Sequence, residues 1–156
     1  MNITVRASQK SDEPFLWEML YQALYVPEGE PPLPREIVQQ PELSQYVHDW
    51  GQPDDIAVIA LADEKPIGAV WLRQIKAYGY VDDKTPELSI AVLPDYRGQG
   101  IGTRLMQELL ATVRSQYAAL SLSVSIDNPA LRLYQRLGFE IVVMQGNSVT
   151  MKLTLH

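Results

Sequence analysis

The order of elements in the sequence predicts an α/β (α+β) domain, and three observations carry that expectation. Runs of strand length, apolar or alternating, recur about seven times along the 156 residues. Helical apolar stripes are interleaved with them instead of being collected at one end. No internal repeat interrupts the series, and no linker is long enough to separate it into several domains. Residues 1–156 are therefore expected to form a single domain of ordinary size.

Each element has a local reason. Asn2 to Arg6 alternates and reads as a short strand. Ser11 or Asp12 is the candidate cap of a helix that tolerates Pro14 in its first turn. Phe15, Leu16, Met19, Leu20, Ala23 and Leu24 form the apolar stripe of that helix. From Val26 to Pro34 the density of Pro and Gly excludes regular structure. Arg35 to Trp50 predicts one or two short helices broken near Pro41. Ile56 to Ala62 is a nearly continuous apolar run, and Ile67 to Ile75 is its hairpin partner across Asp63-Glu64-Lys65-Pro66.

After the polar loop Tyr78 to Thr85 comes a strand over Glu87 to Val92 and a glycine-rich turn over Pro94 to Gly100. A helix follows from Ile101 to about Tyr117, with Ile101, Leu105, Leu109 and Val113 on one face. Leu120 to Ser125 reads as a strand. Asn128 caps a short helix with Pro129 at its first position, and Gly138 stops it. Phe139 to Met144 and Val149 to Leu155 are the last two strands, joined by Gln145-Gly146-Asn147.

Composition narrows the function classes. Cysteine is absent, which removes disulfides, thiolate metal sites and a cysteine nucleophile. Two histidines, one of them the terminal His156, are too few for a zinc site, so no metal is expected. A net charge of -6 is the wrong sign for a nucleic-acid binder. No window approaches a membrane span, and the first residues lack the apolar core of a signal peptide. A cytoplasmic protein without a membrane partner is the expectation.

Chemistry is concentrated in Val92-Leu93-Pro94-Asp95-Tyr96-Arg97-Gly98-Gln99-Gly100-Ile101-Gly102-Thr103. A strand ends, three glycines alternate, and a helix begins. Free N–H groups and the helix dipole there favour an anion, and glycines let backbone approach a phosphate. A plain glycine turn without a ligand is the other reading. Two familiar phosphate loops do not fit. Gly102 is followed by Thr103 and Arg104 without the lysine of a P-loop. The dinucleotide fingerprint needs glycine where Thr103 stands.

The segment resembles motif A of the GNAT superfamily of N-acetyltransferases, through Arg97, Gly100 and Gly102 after a Val-x-Pro-x-Tyr lead. Asn128-Pro129-Ala130-Leu131-Arg132-Leu133-Tyr134, continuing to Gly138-Phe139, resembles motif B of the same family. The resemblance covers Asp55 to Leu155 and implies a mixed, mostly antiparallel central sheet flanked by helices. It implies transfer from acetyl-CoA to a small-molecule or peptide amine by direct attack. It further implies that backbone at Arg97, Gly98, Gln99, Gly100, Ile101, Gly102 and Thr103 holds the pyrophosphate. Ile90, Ala91 and Val92 would pair with the pantetheine arm. Asn128, with Asp127 as alternative, would contact the pantetheine side. Tyr134 would stand near the sulfur as general acid. A homodimer is compatible with the resemblance.

Two residues keep a second reading. Tyr134 could share the buried face of Ala130 and Leu137 as core. Glu87 is the candidate base, because many relatives carry an acid on this strand, or else it is a solvated strand end. Alternation places Glu87, Ser89 and Ala91 on one face and Leu88, Ile90 and Val92 on the other. Ser123 stands where some relatives that acetylate protein N-termini have glutamate. For the acceptor the candidates are Tyr25, Glu28, Glu30, Tyr46, His48, Trp50, Tyr78, Tyr80, Asp82 and Asp83, a set suited to a cationic amine. The rival functions are a CoA-binding regulatory module without turnover, a transferase for another acyl-CoA, and an anion-sensing domain.

Overall fold

The computed structural model describes residues 2–156. Seven strands form one sheet in the order β1-β2-β3-β4-β5-β7-β6. β1 (Ile3–Ala7), β2 (Ile56–Ala62), β3 (Lys65–Arg73) and β4 (Glu87–Val92) are antiparallel neighbours. β5 (Ala119–Ser125) joins β4 in parallel, and β7 (Ser148–Thr154) and β6 (Glu140–Gln145) close the series antiparallel. This is the mixed, mostly antiparallel sheet that was expected. β1 and β6 are the two edges, and β6 exposes Ile141, Val142, Val143 and Met144.

The sheet has a core on each face. On one, α3 (Ile101–Val113) buries Ile101, Leu105, Met106, Leu109, Leu110 and Val113 against Val58, Val70, Leu88 and Leu120. Tyr134 and Phe139 extend this core at α4 (Ala130–Arg136). On the other, α1 (Glu13–Ala23) buries Leu16, Met19 and Leu20 against Ile59, Ala69, Trp71 and Ala91. That second core also takes Val38 from the 3₁₀ turn Arg35–Gln39, and Tyr46, Val47 and Trp50 from beyond the short helix α2 (Pro41–Ser44). The alternation read from the sequence of β4 holds: Leu88 packs in the first core and Ala91 in the second.

The seam between β4 and β5 matters most. Its register pairs only Glu87 with Ser121, beside a Ser121 N–H bond to the Pro86 carbonyl of 3.0 Å. Beyond that point the strands diverge, and β4 keeps a backbone edge without a strand partner from Leu88 onward.

Some boundaries differ from expectation. The hairpin turn is shorter: β3 begins at Lys65, and Asp63 and Glu64 both take left-handed φ (47° and 72°). Two reciprocal bonds tie Asp63 to Asn2, which holds this conformation without a glycine. The third helix ends at Val113 and not Tyr117, because Arg114, Ser115 and Gln116 are exposed and extend no apolar stripe onto the sheet. α1 is entered through a 3₁₀ turn, Lys10–Asp12, and the Asp12 carboxylate caps no α1 N–H. It accepts from the Gln9 N–H (2.7 Å) and from both Arg6 guanidinium nitrogens (2.7 and 3.0 Å). Pro129 lies just before the first residue of α4, and the Asn128 side chain accepts from the Ala130 N–H at 2.9 Å. Gly138 stops α4 as expected, at φ 106°, with the Phe139 N–H reaching back to the Tyr134 carbonyl (3.0 Å).

Candidate active site

The glycine turn builds a cluster of free donors. After β4, Pro94–Tyr96 makes a 3₁₀ turn, and Gly98 and Gly100 adopt φ of 74° and 80°. Side chains disfavour that region, so these two positions require glycine. Arg104 is the first residue of α3 whose N–H finds a helical acceptor, the Gly100 carbonyl at 3.1 Å. Among the described residues no acceptor faces the N–H groups of Gly98 to Thr103. A 13-residue helix starts there, so its dipole adds to them. Arg97 braces the turn: its guanidinium donates to the Val92 carbonyl (2.9 Å) and to the Gln22 carbonyl (3.3 Å) and side chain (3.4 Å). Ile101 turns its side chain into the core, Gln99 lies exposed, and a Cβ at Gly102 would meet nothing nearer than Ile90 at 4.0 Å.

At the other end of β4, Glu87 is only 3 % exposed, which removes the reading of a solvated strand end. Its carboxylate accepts from the Tyr46 hydroxyl on one oxygen and from the Gly79 N–H, at 3.0 Å, on the other. Burial pushes the Glu87 carboxyl up to about 7, against the opposing pull of these two donors. The same burial, with the neighbouring Glu87, pushes the Tyr46 phenol far above its ordinary range, so it remains a donor. Tyr46 is fixed at its backbone too, where its carbonyl accepts from the Trp71 indole N–H (3.1 Å). Gly79 has no room for a side chain: a Cβ there would lie 2.8 Å from the Glu87 carboxyl carbon and 2.9 Å from Leu122 backbone. The Gly79 carbonyl in turn accepts from the Ser121 hydroxyl at 2.7 Å.

Two cavities meet where β4 and β5 diverge. One, of about 330 Å³, is lined by Glu87, Ser89, Tyr25, Tyr46, Tyr78, Leu122, Ser123 and Val124, among others. The second, of about 620 Å³, runs past Ile90, Ala91, Val92 and Arg97 and under Gln22, Val26 and Pro32. Ile90, Leu24, Tyr25, Asn128 and Tyr134 border both. Tyr134 belongs to the buried core and also borders both cavities. It packs edge-to-face on Phe139 (centroids 6.1 Å apart) while bordering the cavities, and burial pushes its phenol up to about 12. Asn128 borders them and Asp127 does not.

The acceptor residues expected from the sequence are only partly brought together. Tyr25, Tyr46 and Tyr78 line the smaller cavity. Glu30 lines the larger one, and Glu28, His48, Tyr80, Asp82 and Asp83 line neither. Trp50 is buried in the core, beneath the Arg73 guanidinium at 5.2 Å. A ring of carboxylates around the acceptor is thus not present, and Glu87 is the one acid of the smaller cavity. The bond from Tyr46 to Glu87 and the role of Gly79 escaped sequence reasoning. Among the described residues no cluster of acids and histidines could hold a metal, and no helix is long and apolar enough to cross a membrane.

Three kinds of comparison with known proteins agree. A model of the acetyltransferase (GNAT) family matches residues 16–139. N-alpha-acetyltransferase 30 of Schizosaccharomyces pombe is 33% identical over 101 residues, 60% of this chain and 61% of that protein. Mycothiol acetyltransferase of Brachybacterium faecium is 32% identical over 107 residues, 67% of this chain and 31% of that one. The chain thus spans less than two thirds of either relative's length. Among solved structures, the PaiA N-acetyltransferase of Thermoplasma acidophilum in complex with coenzyme A superposes with a TM-score of 0.71 at 20% identity, covering 99% of both chains. That likeness shows the fold.

Proposed function

The chain belongs to the GNAT acetyltransferase family, and on that premise we propose that it moves an acetyl group from acetyl-CoA to an amine, by direct attack with both substrates bound. One observation carries the proposal. A buried carboxyl near neutrality, Glu87, lies in a cavity that joins a second one at Tyr134, and the second reaches Arg97, the residue before the free N–H cluster.

The residues fit acetyl-CoA. Six consecutive amides without acceptors, Gly98 to Thr103, suit a pyrophosphate. The edge of β4 that faces away from β3 carries the backbone groups of Ile90 and the Val92 N–H toward the amides of a pantetheine arm, whereas Ala91 pairs its backbone with Ala69 of β3 and the Val92 carbonyl already accepts from Arg97. Asn128 borders that path, though the bond to Ala130 already occupies its side-chain oxygen. Acetyl-CoA, when bound, supplies a thioester whose C–S bond breaks as the N–C bond to the amine forms.

The remaining roles fall to this chain's own groups. An amine arrives protonated, and Glu87, ionised above about 7, accepts that proton directly or through a water. Tyr46 and Gly79 hold the carboxylate from behind. Tyr134, near 12, is a weaker acid than an ordinary thiol at ~8.5. Its contribution is therefore a hydrogen bond toward the sulfur as charge develops there, and the departing thiolate takes up the second proton, which the nitrogen loses as the amide forms. The test is calorimetry with acetyl-CoA followed by thiol release with a panel of amines. Binding with amine-dependent release is the expected result. Binding without release from any amine would favour a regulatory module, and no binding would remove the proposal.

A further inference from the structure

The smaller cavity narrows the acceptor, on the reading just given. Glu87 is its only charged side chain; neither Lys, Arg nor His lines it. Nearby Arg73 is committed, bonded to Asp55 (2.8 and 3.0 Å) and to the carbonyls of Gln45 and His48. Arg97 borders the other cavity. The walls offer apolar surface from Leu20, Leu24, Leu43, Leu122 and Val124, and neutral hydroxyls from Tyr25, Tyr78, Ser123, Ser125 and Ser148.

We propose that the acceptor is a primary amine whose neighbouring atoms carry no negative charge and which bears a compact apolar group. Charge sets the first condition. A nitrogen delivered to Glu87 brings any carboxylate on the adjacent carbon within a few ångströms of that same anion. No cation in the cavity balances it, and two like charges away from bulk water repel strongly. An amide in that place instead finds hydroxyl partners. Size and apolarity set the second condition: about 330 Å³ is at the small end of ligand sites. Free α-amino acids are thereby excluded. Amino-acid amides and the N-termini of peptides share the admitted chemistry.

Thiol release from acetyl-CoA separates the cases, using leucine, leucinamide and a short peptide beginning with leucine, compared at equal concentrations of uncharged amine. The expected kcat/KM for leucinamide exceeds that for leucine by ~100-fold or more, since like-charge juxtaposition costs several kcal/mol. Peptide above amide identifies a peptide N-terminus as the source, and amide above peptide a small molecule. Ser125→Arg, which adds a cation to the wall, is expected to raise leucine relative to leucinamide. Equal use of leucine and leucinamide, use of neither, or an unchanged ratio in Ser125→Arg overturns the inference. Failure to bind acetyl-CoA at all would instead contradict the acetyl-transfer reading on which it rests.

Discussion

At Glu87, burial and two donors from elsewhere in the chain decide the behaviour of one carboxyl. Burial raises it, and the Tyr46 hydroxyl and Gly79 N–H restrain the rise. Removing the hydroxyl while keeping the ring takes away one restraint. Tyr46→Phe is therefore expected to shift the Glu87 titration to higher pH. Carboxyl-carbon NMR of protein labelled in glutamate checks this, with Glu87→Gln assigning the signal, and requires neither cofactor nor acceptor. A titration unmoved in Tyr46→Phe would mean the bond is incidental. Tyr134 makes a different demand. A hydrogen bond to a charged partner contributes ~1.5–3 kcal/mol, equivalent to ~10- to ~150-fold in rate. Tyr134→Phe should lower kcat by that range with acetyl-CoA affinity little changed. A loss of affinity at constant kcat would return Tyr134 to the core alone.

Elements show where the sequence was readable. β2 and β4 are legible to the residue, because one is a nearly continuous apolar run and the other ends in a Pro- and Gly-rich turn. The hairpin and the place of its turn were legible, but not the turn's two-residue length. Two left-handed residues usually announce themselves as Asn-Gly, and here Asp63-Glu64 are held by bonds to Asn2 that no local pattern reveals. Glu87 was found as a candidate but left undecided, since its burial depends on Tyr46, 41 residues earlier, and on Gly79. The same distinction decides how to test the turn before α3. Gly100 has φ 80°, so a valine there strains the backbone whether or not a phosphate binds. Gly102 is helical with open space around it, and a side chain there disturbs only what approaches from outside. Gly102→Val is expected to leave the fold intact and to weaken acetyl-CoA by ~10-fold or more, read by calorimetry beside circular dichroism. Unchanged affinity would move the phosphates away from this helix.

The whole molecule carries the cost of keeping Glu87 buried. Its folded-state value, about 7, lies above the ordinary 4.5. The sign follows: this group favours the fold most when protonated, below the ordinary value, and its stabilising effect is lost as pH rises through about 7. Glu87→Gln cannot ionise. Its melting temperature should exceed that of the wild type in alkaline buffer, with the advantage shrinking in mildly acidic buffer. A constant difference across pH would show that Glu87 is not the titrating group. Such a penalty is what a site held ready for proton transfer exacts from stability. The net charge of -6 suggested a cation steered by many carboxylates. The fold instead keeps Glu28, Asp82 and Asp83 outside both cavities and brings one acid to the smaller one.

The central claim, that Glu87 removes the acceptor's proton, is tested most directly by the pH dependence of kcat/KM for acetyl transfer in wild type and Glu87→Gln. The wild-type rate is expected to fall on the acid side with a midpoint near 7, and the Glu87→Gln profile to be lowered by ~100-fold or more, with the limb near 7 replaced by the titration of the acceptor amine itself. A Glu87→Gln enzyme that keeps both the wild-type rate and the same acid limb would contradict it.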